Sequence, residues 1–327
     1  MLKYQSKLLF ILLSLFFYFS SSKELCAAGE VMGMHILQPE EITKVRKIFE
    51  DDVWRYITIP LTIDDTQDWR RWQIFFNEAH REKLIPIIRL ATRYDQEKDC
   101  WTIPNRKEIV SLVSFLSSLN WYQEEKLVIV FNEVNHANEW GGKIDPFAYT
   151  HILKFTSNWL RSESLNFKIL PAAMDLAAAN AFPSMEAFNY IESMYRIDSE
   201  IFDYIDYWNS HSYPNPGFSA SPRNSGQNSL RGFNYELNYL KEKTARDFQV
   251  FITETGWMSH YLINYYLSDY YLYALENVWN DERILAVTPF VMKGDPGPFS
   301  SFSFLDLEEK PTIHTYALKR ALKKISP

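Results

Sequence analysis

Residues 127–142 read LVIVFNEVNHANEWGG, and the fold turns on how this stretch is taken. It starts with four apolar residues, Leu127, Val128, Ile129 and Val130. A short run of this kind, rich in β-branched side chains, reads as a strand buried on both faces. Within two residues it becomes polar, with Asn132, Glu133, Asn135, His136, Asn138 and Glu139, and a glycine pair follows. Asp145-Pro146 then opens a helical pattern, with Asp as the cap and Pro at the first helical position. Glu133 is thus expected at the C-terminal end of a buried strand, just before a turn into a helix. In α/β folds that end of the strands is where ligands bind.

Outward from this stretch, strand-like and helix-like segments alternate along the chain. Strands are expected at residues 31–37 (VMGMHIL), 56–61 (YITIPL), 84–90 (LIPIIRL), 127–130, 167–172 (FKILPA), 210–213 (SHSY), 250–253 (VFIT) and 285–292 (LAVTPFVM). Helices are expected at residues 39–51, 67–83, 105–119, 146–160, 184–201, 230–244, 262–279 and 310–325. Strand followed by helix, eight times and without a linker, predicts a parallel sheet closed as one (β/α)8 TIM barrel. The rival, a doubly wound sheet, calls for a glycine-rich phosphate turn after the first strand. Gly33 alone does not supply one.

The N-terminus reads as a targeting segment. Lys3 and Lys7 precede an apolar run at residues 8–19, too short for a comfortable membrane span. Cys26-Ala27-Ala28 offers small residues for cleavage. The expectation is a signal peptide at 1–28, a catalytic domain at 29–327, and a secreted, periplasmic or cell-surface protein without stable membrane insertion after processing. Lipid anchoring at Cys26 is the lesser option, because Leu25 stands where such sites want a small residue. Cys100 would then be alone, so no internal disulfide is expected. The formal net charge is -7 over 327 residues, with no block of like charge, which argues against a nucleic-acid partner. Twenty Tyr, 23 Phe and 10 Trp suit a protein that presents aromatic faces to sugar rings.

In a barrel, residues just past the strands face one mouth: His35, Arg89, Asn132, Glu133, Asp175, His211, Tyr213, Glu254 and the segment around Phe290. Glu133 and Glu254 come from strands four and seven, across that mouth. Two carboxylates about 5 Å apart suit retaining glycoside hydrolysis, one protonated to donate to the leaving oxygen and one ionised to attack the anomeric carbon. Their environments must push their acidities apart. Arg89 and Tyr213 are expected to hold Glu254 ionised, and Asn132 to bind a sugar hydroxyl.

These residues resemble the clan A glycoside hydrolases, retaining (β/α)8 enzymes, nearest to the cellulase-like family 5 and family 39 branches. The resemblance lies in Asn132-Glu133, in ITETGW at residues 252–257, in His211-Ser212-Tyr213 and in Arg89. It covers the whole mature chain. It implies Glu133 as acid/base and Glu254 as nucleophile, a single TIM-barrel domain, no cofactor and no metal, and an oligo- or polysaccharide partner for a monomer. Two departures stand out. Val134 replaces a common Pro, and strand eight lacks the Trp that usually floors the sugar site. Phe290, Trp257 and Trp140 are the candidate platforms in its place, and His136 joins the substrate-binding set.

Two other classes compete. A non-catalytic, glycan-binding TIM barrel at the cell surface would not need both Glu together with Asn132, Tyr213 and Arg89. A metal-dependent hydrolase would use His35, Asp175 and His211, but lacks a His-x-His pair after strand one.

Overall fold

The computed structural model describes residues 29–325. The segment 1–28, with the expected signal peptide and Cys26, and the last two residues lie outside the described residues.

Eight parallel strands form the wall: β1 Met34–His35, β2 Arg55–Thr62, β3 Leu84–Ala91, β4 Lys126–Val130, β5 Phe167–Pro171, β6 Trp208–Ser210, β7 Val250–Ile252 and β8 Ile284–Val287. Two arcs make it, β1 to β5 in order and β6 to β8 in order. A parallel bridge between Met32 and Val287 joins the outer strands of the two arcs, and one between Asp175 and His211 joins the other seam. The chain is therefore a single-domain (β/α)8 barrel, as the alternation requires.

Among the described residues seven α-helices wrap it: α1 Trp69–Arg81, α2 Arg106–Ser118, α3 Pro146–Glu163, α4 Ala187–Ile197, α5 Gly232–Thr244, α6 Tyr261–Asn277 and α7 Ile313–Ile325. Local chemistry fixes several starts. Asn105 and Glu108 form a reciprocal capping box on α2, and the Asp145 side chain accepts the Ala148 N–H ahead of Pro146 on α3. The first helical position differs from expectation. Residues Pro39–Lys47 form a 3₁₀ helix, not an α-helix. The sixth strand also starts earlier than expected, at Trp208, and His211 and Tyr213 lie beyond its end.

The apolar residues sort into two layers. Ile87, Leu127, Ile129, Leu170, Phe251 and Ala286 fill the inside of the barrel. A larger cluster lies between strands and helices and includes Trp72, Trp208 and Trp279. Each strand is thus covered on both faces, which is why the strands read as continuous hydrophobic runs. Cys100 is a buried free thiol in a two-stranded hairpin, Tyr94–Asp95 with Cys100–Trp101, that follows β3. Among the described residues, no helix is long and apolar enough to cross a membrane.

Candidate active site

The end of β4 leaves the wall through strained backbone. Phe131 has φ 72° and Glu133 has φ 29°, both on the left-handed side that non-glycine residues rarely occupy. Such strain persists only where the surroundings hold it, and it clusters at functional sites. The hold here is visible. The buried Tyr149 of α3 donates its hydroxyl hydrogen to the Val130 carbonyl at 3.1 Å and accepts the Ala172 N–H at 2.6 Å, tying the ends of β4 and β5 together.

Glu254 follows β7. Both residues flanking it are tied to β6 and the segment just after it: Thr253 Oγ1 donates to Asn209 Oδ1 at 2.6 Å, and Thr255 Oγ1 donates to the Ser212 carbonyl at 2.7 Å. Each Glu254 oxygen has its own donor. Arg89 Nη1 donates to Oε1, and the Tyr213 hydroxyl donates to Oε2 at 3.1 Å. Burial alone would push this carboxyl up. The positive charges of His211 and Arg89 outweigh that and hold it well below the usual carboxylate range. Tyr213 responds in the opposite sense: burial and the charges of Glu254 and Glu133 raise its hydroxyl, so it stays a donor.

Glu133 faces Glu254. One donor atom each from Glu133, His211 and Glu254 lie within 4.8 Å of one another, so the closest carboxylate oxygens approach within that distance. His211 Nδ1 stands 2.7 Å from Glu133 Oε1 and 3.8 Å from Glu254 Oε2. Burial opposes charge on this ring, but Glu254 and Glu133 favour it and raise its pKa. We assign the Nδ1 proton to His211, donating to Glu133. His35, fully buried, uses Nδ1–H to donate to the Thr253 carbonyl at 3.1 Å. Burial lowers its pKa to about 3, so its ring is neutral.

Asn132 is held by Arg89 on one side and Glu139 on the other. Its Oδ1 accepts from Arg89 at 2.8 Å and its Nδ2 donates to Glu139 at 3.2 Å. Glu139 is a third carboxyl of the cleft that sequence reasoning passed over. Burial and the charge of Glu133 raise its pKa to about 7. Its only signal in the sequence was its place in the polar stretch after strand four. The short 3₁₀ turn Ala137–Glu139 that folds it back has no periodicity to reveal it. His136 and Asp175 pair with each other at 2.9 Å on the cleft wall, both partly exposed.

The aromatic platforms are corrected. Trp140 is 1% exposed and packs against Phe131 and Tyr149. Trp257 is fully buried against Tyr270, Tyr271 and Trp279, and its indole N–H donates to the Ala220 carbonyl at 2.9 Å. Both are core residues, because the loops that carry them fold under the rim. Phe290 sits edge-on to His35 and beside Phe299 and Phe302, with 8% of its surface exposed. It has too little free surface for an open platform. The set that the competing metal-dependent reading would use, His35, Asp175 and His211, does not converge either. His35 is spent on Thr253 and Asp175 on His136. Among the described residues, the group with donor atoms close together is Glu133, His211 and Glu254, where Arg89 already supplies a cation.

No family model matches the sequence, and no curated relative matches it. Solved structures do match in fold. A monomeric beta-xylosidase from Caulobacter crescentus CB15 superimposes with a TM-score of 0.60 at 15% identity, covering 88% of this chain and 67% of that one. A family 39 glycoside hydrolase from the gut symbiont Bacteroides cellulosilyticus WH2 gives a TM-score of 0.62 at 15% identity over 90% of this chain. The match spans less than two thirds, 64%, of that hydrolase's own length. An endoglucanase from the hyperthermophilic Thermotoga maritima gives 0.57 at 12% identity, with 89% and 98% of the two chains covered. The chain thus shares the (β/α)8 fold of these glycoside hydrolases.

Proposed function

We propose that the protein is a retaining glycoside hydrolase that cleaves β-glycosidic bonds of an oligo- or polysaccharide, with Glu254 as nucleophile and Glu133 as acid/base. The observation that carries this reading is the pair itself: two carboxylates from β4 and β7 with oxygens within 4.8 Å, one of them bound by Arg89 and Tyr213. A retaining pair stands about 5–5.5 Å apart, while an inverting pair needs about 6.5–9.5 Å to admit water.

In the first step Glu254 attacks the anomeric carbon while Glu133 gives its proton to the leaving oxygen. In the second, Glu133 takes a proton from water, which displaces Glu254 and restores both groups. Arg89 and Tyr213 keep the nucleophile ionised and orient it. His211 fixes one oxygen of Glu133, leaving the other for the leaving group. The cleft is expected to bind sugar through Asn132, His136 and Asp175. No cofactor or metal enters this scheme.

The protein is taken to act as a secreted monomer, processed after residue 28. The test is a screen of the purified protein against aryl β-glycosides, xylosides and glucosides first, and then β-glucans, mannan, xylan and galactan. Turnover with retention of configuration is expected, unaffected by a chelator. Saccharide binding without turnover would favour a glycan-binding barrel, and loss of turnover on chelation would favour a metal at Glu133, His211 and Glu254.

A further inference from the structure

We infer that Glu139 contacts the substrate: with Asn132 it forms a donor–acceptor clamp on one ring hydroxyl of the sugar bound beside Glu133 and Glu254. This rests on the glycosidase reading and adds a residue to it.

The clamp is built. The turn that carries Glu139 is fastened by the His136 N–H on the Glu133 carbonyl at 2.8 Å and by the Gly141 N–H on the Trp101 carbonyl at 2.7 Å. Buried Trp140 anchors it from below. The Asn132 amide is orientated from both sides. Arg89 can only donate, so it demands Oδ1, and Nδ2 then faces Glu139 Oε2. One N–H of Nδ2 is left over. Among the described residues, no hydrogen bond reaches Glu139 Oε1. A hydroxyl both accepts and donates, so it fits between that spare N–H and that oxygen. Glu139 is only partly buried, so a solute can reach it.

Charge makes the clamp sensitive to pH. The ionisable groups acting on Glu139 are Glu133, Arg89 and Glu254, with His136 and Tyr94 at its margin. Burial and Glu133 raise its pKa to about 7. Its acceptor strength therefore grows as pH rises through neutrality.

The experiment takes an aryl β-glucoside, its four monodeoxy analogues, and the variants Glu139→Ala and Glu139→Gln. kcat/KM and calorimetric binding are measured for each. The wild type should lose roughly 10- to 100-fold on one analogue, the worth of a hydrogen bond to a charged group. Glu139→Ala should lose a similar factor on the parent sugar and little more on that analogue, while staying sensitive to the other three. Glu139→Gln should keep part of the binding and lose the inflection near pH 7 in kcat/KM. An equal loss on all five compounds, with thermal stability lowered, would mean a structural role and overturn the inference. Position-selective binding without turnover would leave the clamp standing and remove the glycosidase reading. A wild type that binds none of the five would remove both.

Discussion

His211 places Nδ1 2.7 Å from Glu133 Oε1, on a ring that is almost wholly buried. One oxygen of Glu133 is therefore committed, and only the other can serve a leaving group. The two carboxylates should fail in different ways. Glu254→Gln should abolish turnover of every substrate, since no glycosyl-enzyme can form. Glu133→Ala should still accept activated aryl glycosides, stall after the first step, and recover with azide to give a β-glycosyl azide. Loss of an acid/base group costs about 10²–10⁴-fold, so rescue should be plain in a rate assay. An α-azide, or rescue at both variants with exchanged stereochemistry, would reverse the assignment.

The nucleophile's two donors should be separable. Tyr213→Phe removes the 3.1 Å bond to Oε2 and leaves the ring packing against Phe218 and Phe302. A fall in kcat of roughly 10- to 100-fold is expected, with the fold intact by circular dichroism. Arg89→Met removes the larger support. Because Arg89 holds Glu254 low, the acid limb of the kcat/KM profile should move to higher pH in this variant. An unmoved limb would mean that Arg89 does not set the ionisation of Glu254.

Trp140 and Trp257 give a prediction of another kind. As core residues, their replacement by Ala should lower stability by about 3–5 kcal/mol, read from denaturant midpoints. Near-native stability together with a raised KM would restore them as sugar platforms.

Glu236 should leave a mark on the pH dependence of stability. It is fully buried on α5, with Ser210 Oγ donating to it at 2.5 Å, and burial raises its pKa to about 7 from an ordinary 4.5. Below pH 4.5 both folded and unfolded chains hold its proton. Between there and about pH 7 only the folded chain does, so this contribution declines as pH rises. Its full size is on the order of 3 kcal/mol. Glu236→Gln should keep more of its pH 5 stability at pH 8 than the wild type does, measured by urea unfolding.

Much of this could be read from the chain because buried parallel strands advertise themselves. The run 127–130 and the segment 250–253 are apolar until the wall ends, and a carboxylate follows close behind each. Arg89 lies within β3 itself, while Asn132 and Tyr213 sit past the ends of β4 and β6. The errors arose where the chain leaves regular structure. Trp140 and Trp257 sit in loops and look available, but nothing local says that a loop tucks beneath the rim. Glu139 was missed for the same reason in reverse, since a three-residue turn brought it back to the cleft. Residues 39–47 carry the Pro and acidic first turn of an α-helix, yet wind as 3₁₀.

The two arcs of the wall meet beside the site. At the seam between β5 and β6, among the described residues, backbone pairing is reduced to the Asp175–His211 bridge and to the Asp206 and Tyr207 N–H groups on the Ile169 carbonyl, with side-chain bonds from the Ile169 N–H to Asp206 and from Asn209 to the Pro171 carbonyl beside them. A poorly zipped seam is where a protein opens first, at a cost below that of global unfolding. Any such breathing carries His211 away from Glu133 before the rest of the barrel comes apart. On warming, any turnover should therefore fade some degrees ahead of the cooperative melt, because that join opens before the core does.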